Sequence, residues 1–230
     1  MASFLAASVP HFTLYGDGTV IFRNPALEAP PAEGSIFKAN PLRTARLNED
    51  QIQEILLLAL GEGGLAVARP NYPNDMVADA STTLFTIEAA GIKKEVSVYA
   101  LGMEAEGTAD APARAAFRKL ADRLTDIDQG GTIETGLYEP EAYQGALFEA
   151  PGIIDPGMRP WPWPGLTPAD FSLDADPNGN QFPHRTLSIA EVEALKVSDF
   201  KGGFQNMALE GPGGKTYTFS LRPLLLDESD

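Results

Sequence analysis

An α+β fold of antiparallel β-hairpins with two or three helices packed on one face is the architecture this sequence predicts. Two observations carry it. Apolar residues alternate in paired runs around glycine turns. Between the pairs lie capped stretches whose apolar residues recur three and four apart.

The first pair is HFTLYGDGTVIF, residues 11–22. Phe12 and Leu14 alternate with Thr13 and Tyr15, and Val20 and Phe22 alternate on the return. The Asp17-Gly18 step between them signals a hairpin, because the turn needs positive φ. Residues 24–43 hold Pro25, Pro30, Pro31 and Pro41 and read as an extended loop. A helix is expected over 49–60. Asn48 is its N-cap, and Gln51 completes a capping box. Ile52, Ile55, Leu56, Ala59 and Leu60 form its apolar face, and Gly61, Gly63 and Gly64 stop it.

A loop around Arg69 to Asp75 precedes the second hairpin, about 82–101, with arms TTLFTIEA and KKEVSVYAL. A second helix starts near Asp110 and Pro112, with proline tolerated in the first turn. Phe117, Leu120, Leu124 and Ile127 make its stripe, and Gly130-Gly131 ends it. Residues 132–183 are rich in proline, glycine and aromatics, and their densest part, MRPWPWPGLTPADF, suits neither a helix interior nor a central strand. This run is expected to pack as an ordered coat. A short helix follows at about 188–197, with Ser188 as N-cap and Glu191 as its N3 partner. The last hairpin has arms FQNMALEG and KTYTFSLRPLL around Gly211 to Gly214. Tyr217, Phe219 and Leu221 form one of its faces; Thr216, Thr218 and Ser220 form the other.

Three parts result: a hairpin–helix–hairpin–helix unit over 9–130, a proline- and aromatic-rich connector over 131–185, and a helix plus hairpin over 186–230 docked on the first unit. RTARLNEDQIQEIL (43–56) and RTLSIAEVEAL (185–195) share an arginine-threonine, a leucine, a polar cap and apolar residues three apart. This order fits a weak internal duplication, and equally any capped amphipathic helix.

Composition excludes several chemistries. The 230 residues include 17 basic and 32 acidic side chains, a formal charge of −15, no cysteine and two histidines. Disulfides, zinc thiolates, iron–sulfur clusters and a cysteine nucleophile are impossible. Nucleic-acid binding through phosphate neutralisation does not suit this charge. The longest apolar run, Ile55–Leu60, is far shorter than the roughly 20 residues that cross a bilayer. Residues 1–8, MASFLAAS, lack the basic start and long apolar stretch of an export signal.

The first 130 residues resemble a domain-of-unknown-function family of bacterial envelope and secreted proteins that includes lipoproteins. The resemblance lies in FTLYGDGTVIF, the LNEDQIQEILLLAL helix, the Tyr72 to Asp79 loop, TTLFTIEAAGIKKEVSVYAL and the closing helix to Ile127-Asp128. The ending GGKTYTFSLRPLLLDE is similar to that of bacterial lipoproteins. The chain departs from the family in lacking its cysteine-containing start. The resemblance implies an α+β domain outside the membrane, with a lipid anchor, where there is one, upstream in a precursor. It transfers no catalytic residue.

Candidate sites are few. Asp174, Asp176, Asn178 and Asn180 with Gly179 fit the opening of a D-x-D-x-N-G calcium loop, where alternate oxygen ligands converge on a hard cation. The twelfth position is Arg185 instead of glutamate, so Ca2+ would need another carboxylate such as Asp170; a solvated Asx turn is the alternative. Trp161 and Trp163, flanked by Pro160, Pro162 and Pro164, would serve as an aromatic platform for a sugar or partner protein, or plug the gap between subdomains. Gly213-Gly214-Lys215-Thr216 fails as a phosphate loop, since Leu209 stands where glycine is required. Ser198 and Lys201 match S-x-x-K without the companion motifs of serine acylases. His11 and His184 carry no recognisable partners.

The expected function is a non-enzymatic extracytoplasmic module of a bacterial envelope protein that binds a protein or polymer of the envelope. The alternatives are a carboxylate-dependent hydrolase of envelope or extracellular substrates, and an inhibitor of secreted enzymes. The expected location is extracytoplasmic, secreted or membrane-anchored.

Overall fold

A computed structural model of the chain describes residues 6–24, 27–89, 91–103, 107–128, 131–152, 155–173 and 182–228. Among them are 13 strands and three α-helices, an α+β arrangement with no closed barrel. Pairing is antiparallel except for two short parallel pairs. The chain forms two compact units. The first comprises Met1–His11, Ile21–Thr44 and Gly136–Asp230; the second comprises Phe12–Val20 and Ala45–Thr135. The proline-rich run expected as a connector therefore falls, from Gly136 on, in the same unit as the C-terminal hairpin.

In chain order the elements are β1 (Phe12–Leu14), β2 (Thr19–Phe22), β3 (Phe37–Lys38), β4 (Arg43–Arg46), α1 (Glu49–Leu57), β5 (Asn71–Tyr72), β6 (Thr82–Ala89), β7 (Ile92–Tyr99), α2 (Ala111–Thr125), β8 (Gly136–Leu137), β9 (Ala142–Glu149), β10 (Arg159–Pro160), β11 (His184–Ser188), α3 (Ile189–Glu193), β12 (Phe204–Glu210) and β13 (Thr216–Pro223).

The first unit is built on a six-stranded sheet of order β10-β12-β13-β9-β11, with β3 also paired to β12. The expected last hairpin is β12–β13, with Met207 opposite Phe219 and Leu209 opposite Tyr217. Its central neighbour is β9, from the segment expected to be coat. AYQGALFE carries neither a clean alternation nor high strand propensity, because Gln144 and Gly145 interrupt it. The sheet needs that glycine. A Cβ at Gly145 would lie 2.7 Å from Leu187 Cδ1 and 2.8 Å from the Phe219 ring. One face of this sheet buries Leu147, Leu187, Leu209, Phe219 and Leu221 against Val192 of α3, Trp163 and Phe171. Each such large apolar side chain contributes about 1.5–3 kcal/mol.

The other face is covered too, by Ala6 and Phe182 over Ala146. Ser220 and Arg222 on that face of β13 are therefore 0% exposed, where the alternation Thr216, Thr218, Ser220 suggests a polar surface. Arg222 is satisfied by Glu228 at 2.7 Å and by Gln144 Oε1 at 2.7 Å.

In the second unit, α1 starts as expected. Gln51 N–H donates to Asn48 Oδ1 and Asn48 N–H donates to Gln51 Oε1, both at 2.9 Å. The helix runs on through a π-helical turn, Leu58–Glu62. Phe117 and Leu120 of α2 pack on Phe85, Val96 and Val98, one face of a three-stranded sheet of order β5-β7-β6. Arg114 of α2 is 3% exposed and locks the same elements from within. It donates to the carbonyls of Tyr99, Tyr72 and Pro73 at 3.0, 2.8 and 2.8 Å.

Candidate interaction surface

In the second unit β6 is an edge strand of its sheet. TTLFTIEA is rich in β-branched and aromatic residues, which suit a pleated, half-buried surface. Thr83, Phe85 and Ile87 turn to the helix side; Thr82, Leu84, Thr86 and Glu88 are exposed. One edge of β6 pairs with β7 over its whole length, from Thr82 opposite Tyr99 to Ala89 opposite Ile92, without a register break. Along the other edge no strand pairs with it among the described residues.

Sheet edges are commonly protected by lysine, proline or a bulge. None of these lies in β6, whose single charged residue is Glu88. Leu84 near its start is 57% exposed. Where β6 begins and β7 ends, Met76 and Met103 are 85% and 58% exposed, and Asn74 Nδ2 joins their loops by donating to Met103 O at 3.1 Å. Thioether side chains adapt to varied apolar partners. The sheet is tied to α2: the Tyr72 and Phe117 rings meet edge-on at 4.9 Å, and Arg114 bonds β5 and β7.

The residues singled out in the sequence fare differently. Asp174, Asp176, Asn178 and Asn180 lie outside the described residues. Asp170, the carboxylate that a calcium loop there would recruit, accepts from Thr167 N and Oγ at 2.7 and 2.8 Å; these bonds hold its pKa below the usual value. Among the described residues no group of three His, Asp or Glu is placed to hold a metal.

Trp163 is 4% exposed and donates through Nε1 to Glu191 O at 2.8 Å. Trp161 is half-buried and donates to Leu166 O at 2.8 Å. The two rings meet at 5.1 Å and 85°, and both pack on Phe171. What they leave open is a shallow groove in which Pro162, Pro164 and Leu166 face Ala190 and Ala194.

Lys201 is committed to Glu139 at 2.5 Å, and the lysine on Ser198 is Lys38, with Nζ 2.9 Å from Oγ. Lys215 pairs with Glu149 at 3.0 Å, beside the turn made by Gly213 and Gly214, both with positive φ. His184 Nδ1 lies 2.9 Å from Phe182 O.

A polar hub that no motif announces centres on Glu33. Arg159 and Lys38 pair with it, and Ser198 Oγ donates to it at 3.2 Å. Burial pushes this carboxyl up, but the hydrogen bonds from Arg159, Lys38 and Ser198 N–H and the Arg159 charge overcome that and hold it at about 2. Arg159 also donates to Leu195 O and Lys196 O at 2.9 and 3.0 Å, which anchors a turn where Lys196 and Asp199 both have positive φ. Lys38 Nζ and Ser198 Oγ bond each other and both bond Glu33, so this cluster is a clamp on the turn. The residues come from positions 33, 38, 159 and 198, and that spread is why sequence spacing does not reveal it.

Compared with known proteins, the chain matches no family, no curated protein and no solved structure.

Proposed function

We propose that this chain is a non-enzymatic binding module of the bacterial envelope that takes an extended polypeptide segment along β6. The observation that carries the reading is the eight-residue edge of β6, unguarded by lysine, proline or a bulge and flanked by exposed Leu84. An unpaired row of backbone N–H and C=O groups is complementary to one chemistry above all, another extended backbone. Side chains on the open face then choose among sequences, here Leu84. The charge of −15 favours a neutral or basic segment over an acidic one or a nucleic acid. The envelope setting rests on the acidic, cysteine-free composition and on the resemblance of the first 130 residues to envelope proteins.

The test is selection of a random twelve-residue peptide library on the purified chain, followed by hydrogen exchange of the complex. Selected peptides should slow exchange at β6 amides. Leu84→Lys, which places a cation at a solvent-facing edge position, should weaken them about tenfold without changing thermal stability. A selection that yields no β6-protecting peptide, or peptides that bind Leu84→Lys as tightly as the parent, sinks the reading.

A further inference from the structure

A small cleft in the second unit lies between one face of α1, the last turn of α2 and the turn after it. Leu47, Ile55 and Ile127, which are 4%, 8% and 2% exposed, make an apolar floor. Glu54 of α1 and Arg123 of α2 line the same cleft, Glu54 exposed and Arg123 half-buried. Arg123 Nη1 donates to Asp126 O at 2.9 Å, and among the described residues its other guanidinium nitrogens have no partner. Neither residue forms an ion pair among the described residues. Gln51, Thr132 and Ile133 also line the cleft; Gln51 Oε1 is taken by Asn48 N–H, so what it has to offer is its NH2, and Thr132 Oγ donates to Asp128 O at 2.9 Å.

We infer that this cleft binds a small zwitterion with an apolar body, of the class of branched-chain amino acids. The carboxylate lies on Arg123, the ammonium on Glu54, and the side chain on Leu47, Ile55 and Ile127. The charge pattern selects the class. A simple anion would meet Glu54, a simple cation would meet Arg123, and only a ligand with both signs satisfies both. Leu47, Ile55 and Ile127, with Ile133 beside them, supply apolar contact for its body. The site shares no residue with β6, so it stands whether or not β6 binds a peptide.

Calorimetric titration of the full chain with L-leucine, isoamylamine and 4-methylpentanoate tests it. Leucine should bind, and each analogue, lacking one charge, should bind at least about tenfold more weakly. Arg123→Gln should bring leucine down to the level of isoamylamine, and Glu54→Gln should bring it down to that of 4-methylpentanoate. An unchanged melting temperature verifies that each variant is folded. No heat at roughly 10 mM leucine, equal binding of all three compounds, or variants that bind leucine like the parent would overturn the inference.

Discussion

Arg114 shows how much a single side chain can hold in this protein. Its guanidinium reaches three carbonyls in two strands and a loop, and with 3% exposure it has no water to fall back on. Replacing it by methionine keeps most of the volume but strands Tyr72 O, Tyr99 O and Pro73 O. We expect Arg114→Met to lower unfolding free energy by about 3 kcal/mol in urea titration; a loss under about 1 kcal/mol would mean that water reaches the carbonyls. Glu33 acts through pH. Its folded pKa of about 2 lies below the ordinary 4.5, so its contribution is complete above the higher value and is lost as pH falls from 4.5 towards 2. Glu33→Gln should therefore lower the urea midpoint at neutral pH and flatten its decline in that acid window. An identical slope in the variant would remove Glu33 from the acid response. Neither residue is legible from the sequence: an arginine in an amphipathic helix and a glutamate in a loop look like solvated charges until distant segments close over them.

Helices and hairpins were the readable elements. Asn48 and Ser188 both close capping boxes, with Glu191 N–H donating to Ser188 Oγ at 3.3 Å, because side-chain oxygens at these positions meet backbone groups only three residues away. The two similar stretches, 43–56 and 185–195, both fold as strand, cap and helix, from β4 into α1 and from β11 into α3. The turn of β12–β13 and the register of β6–β7 follow equally local signals. β9 does not. Gln144 and Gly145 break its alternation, and each is explained only by a partner far along the chain, Arg222 for one and the Phe219 and Leu187 side chains for the other. Gly202 belongs to the same class. A Cβ there would sit 2.2 Å from Ala39 O and 2.3 Å from Asn40 O, where β3 meets β12. Gly202→Ala should lower the melting temperature by about 5 °C or more, while Gly165→Ala, with nothing within 4 Å, serves as the control and should leave it unchanged. Equal melting temperatures for the two would show that the β3 junction yields without cost.

Across the whole chain the dominant quantity is the charge of −15. Surface ion pairs such as Arg46–Asp17 and Lys93–Glu88 are exposed and contribute little, so the excess of carboxylates repels itself. Raising sodium chloride from about 0.02 M to about 0.2 M should raise the melting temperature by screening this repulsion. A fall would show that attraction within ion pairs outweighs it. The α+β class, the three hairpins and the three helices were legible in the chain itself, because alternation, helical spacing, caps and glycine turns act within a few residues. Which strand becomes an open edge, that a proline-rich run contributes the central β9, and that Glu54 and Arg123 share a cleft were decided by tertiary packing. Those features depend on groups up to a hundred residues apart, and their pairing is governed by burial and by the need to satisfy buried polar atoms, which no local pattern records.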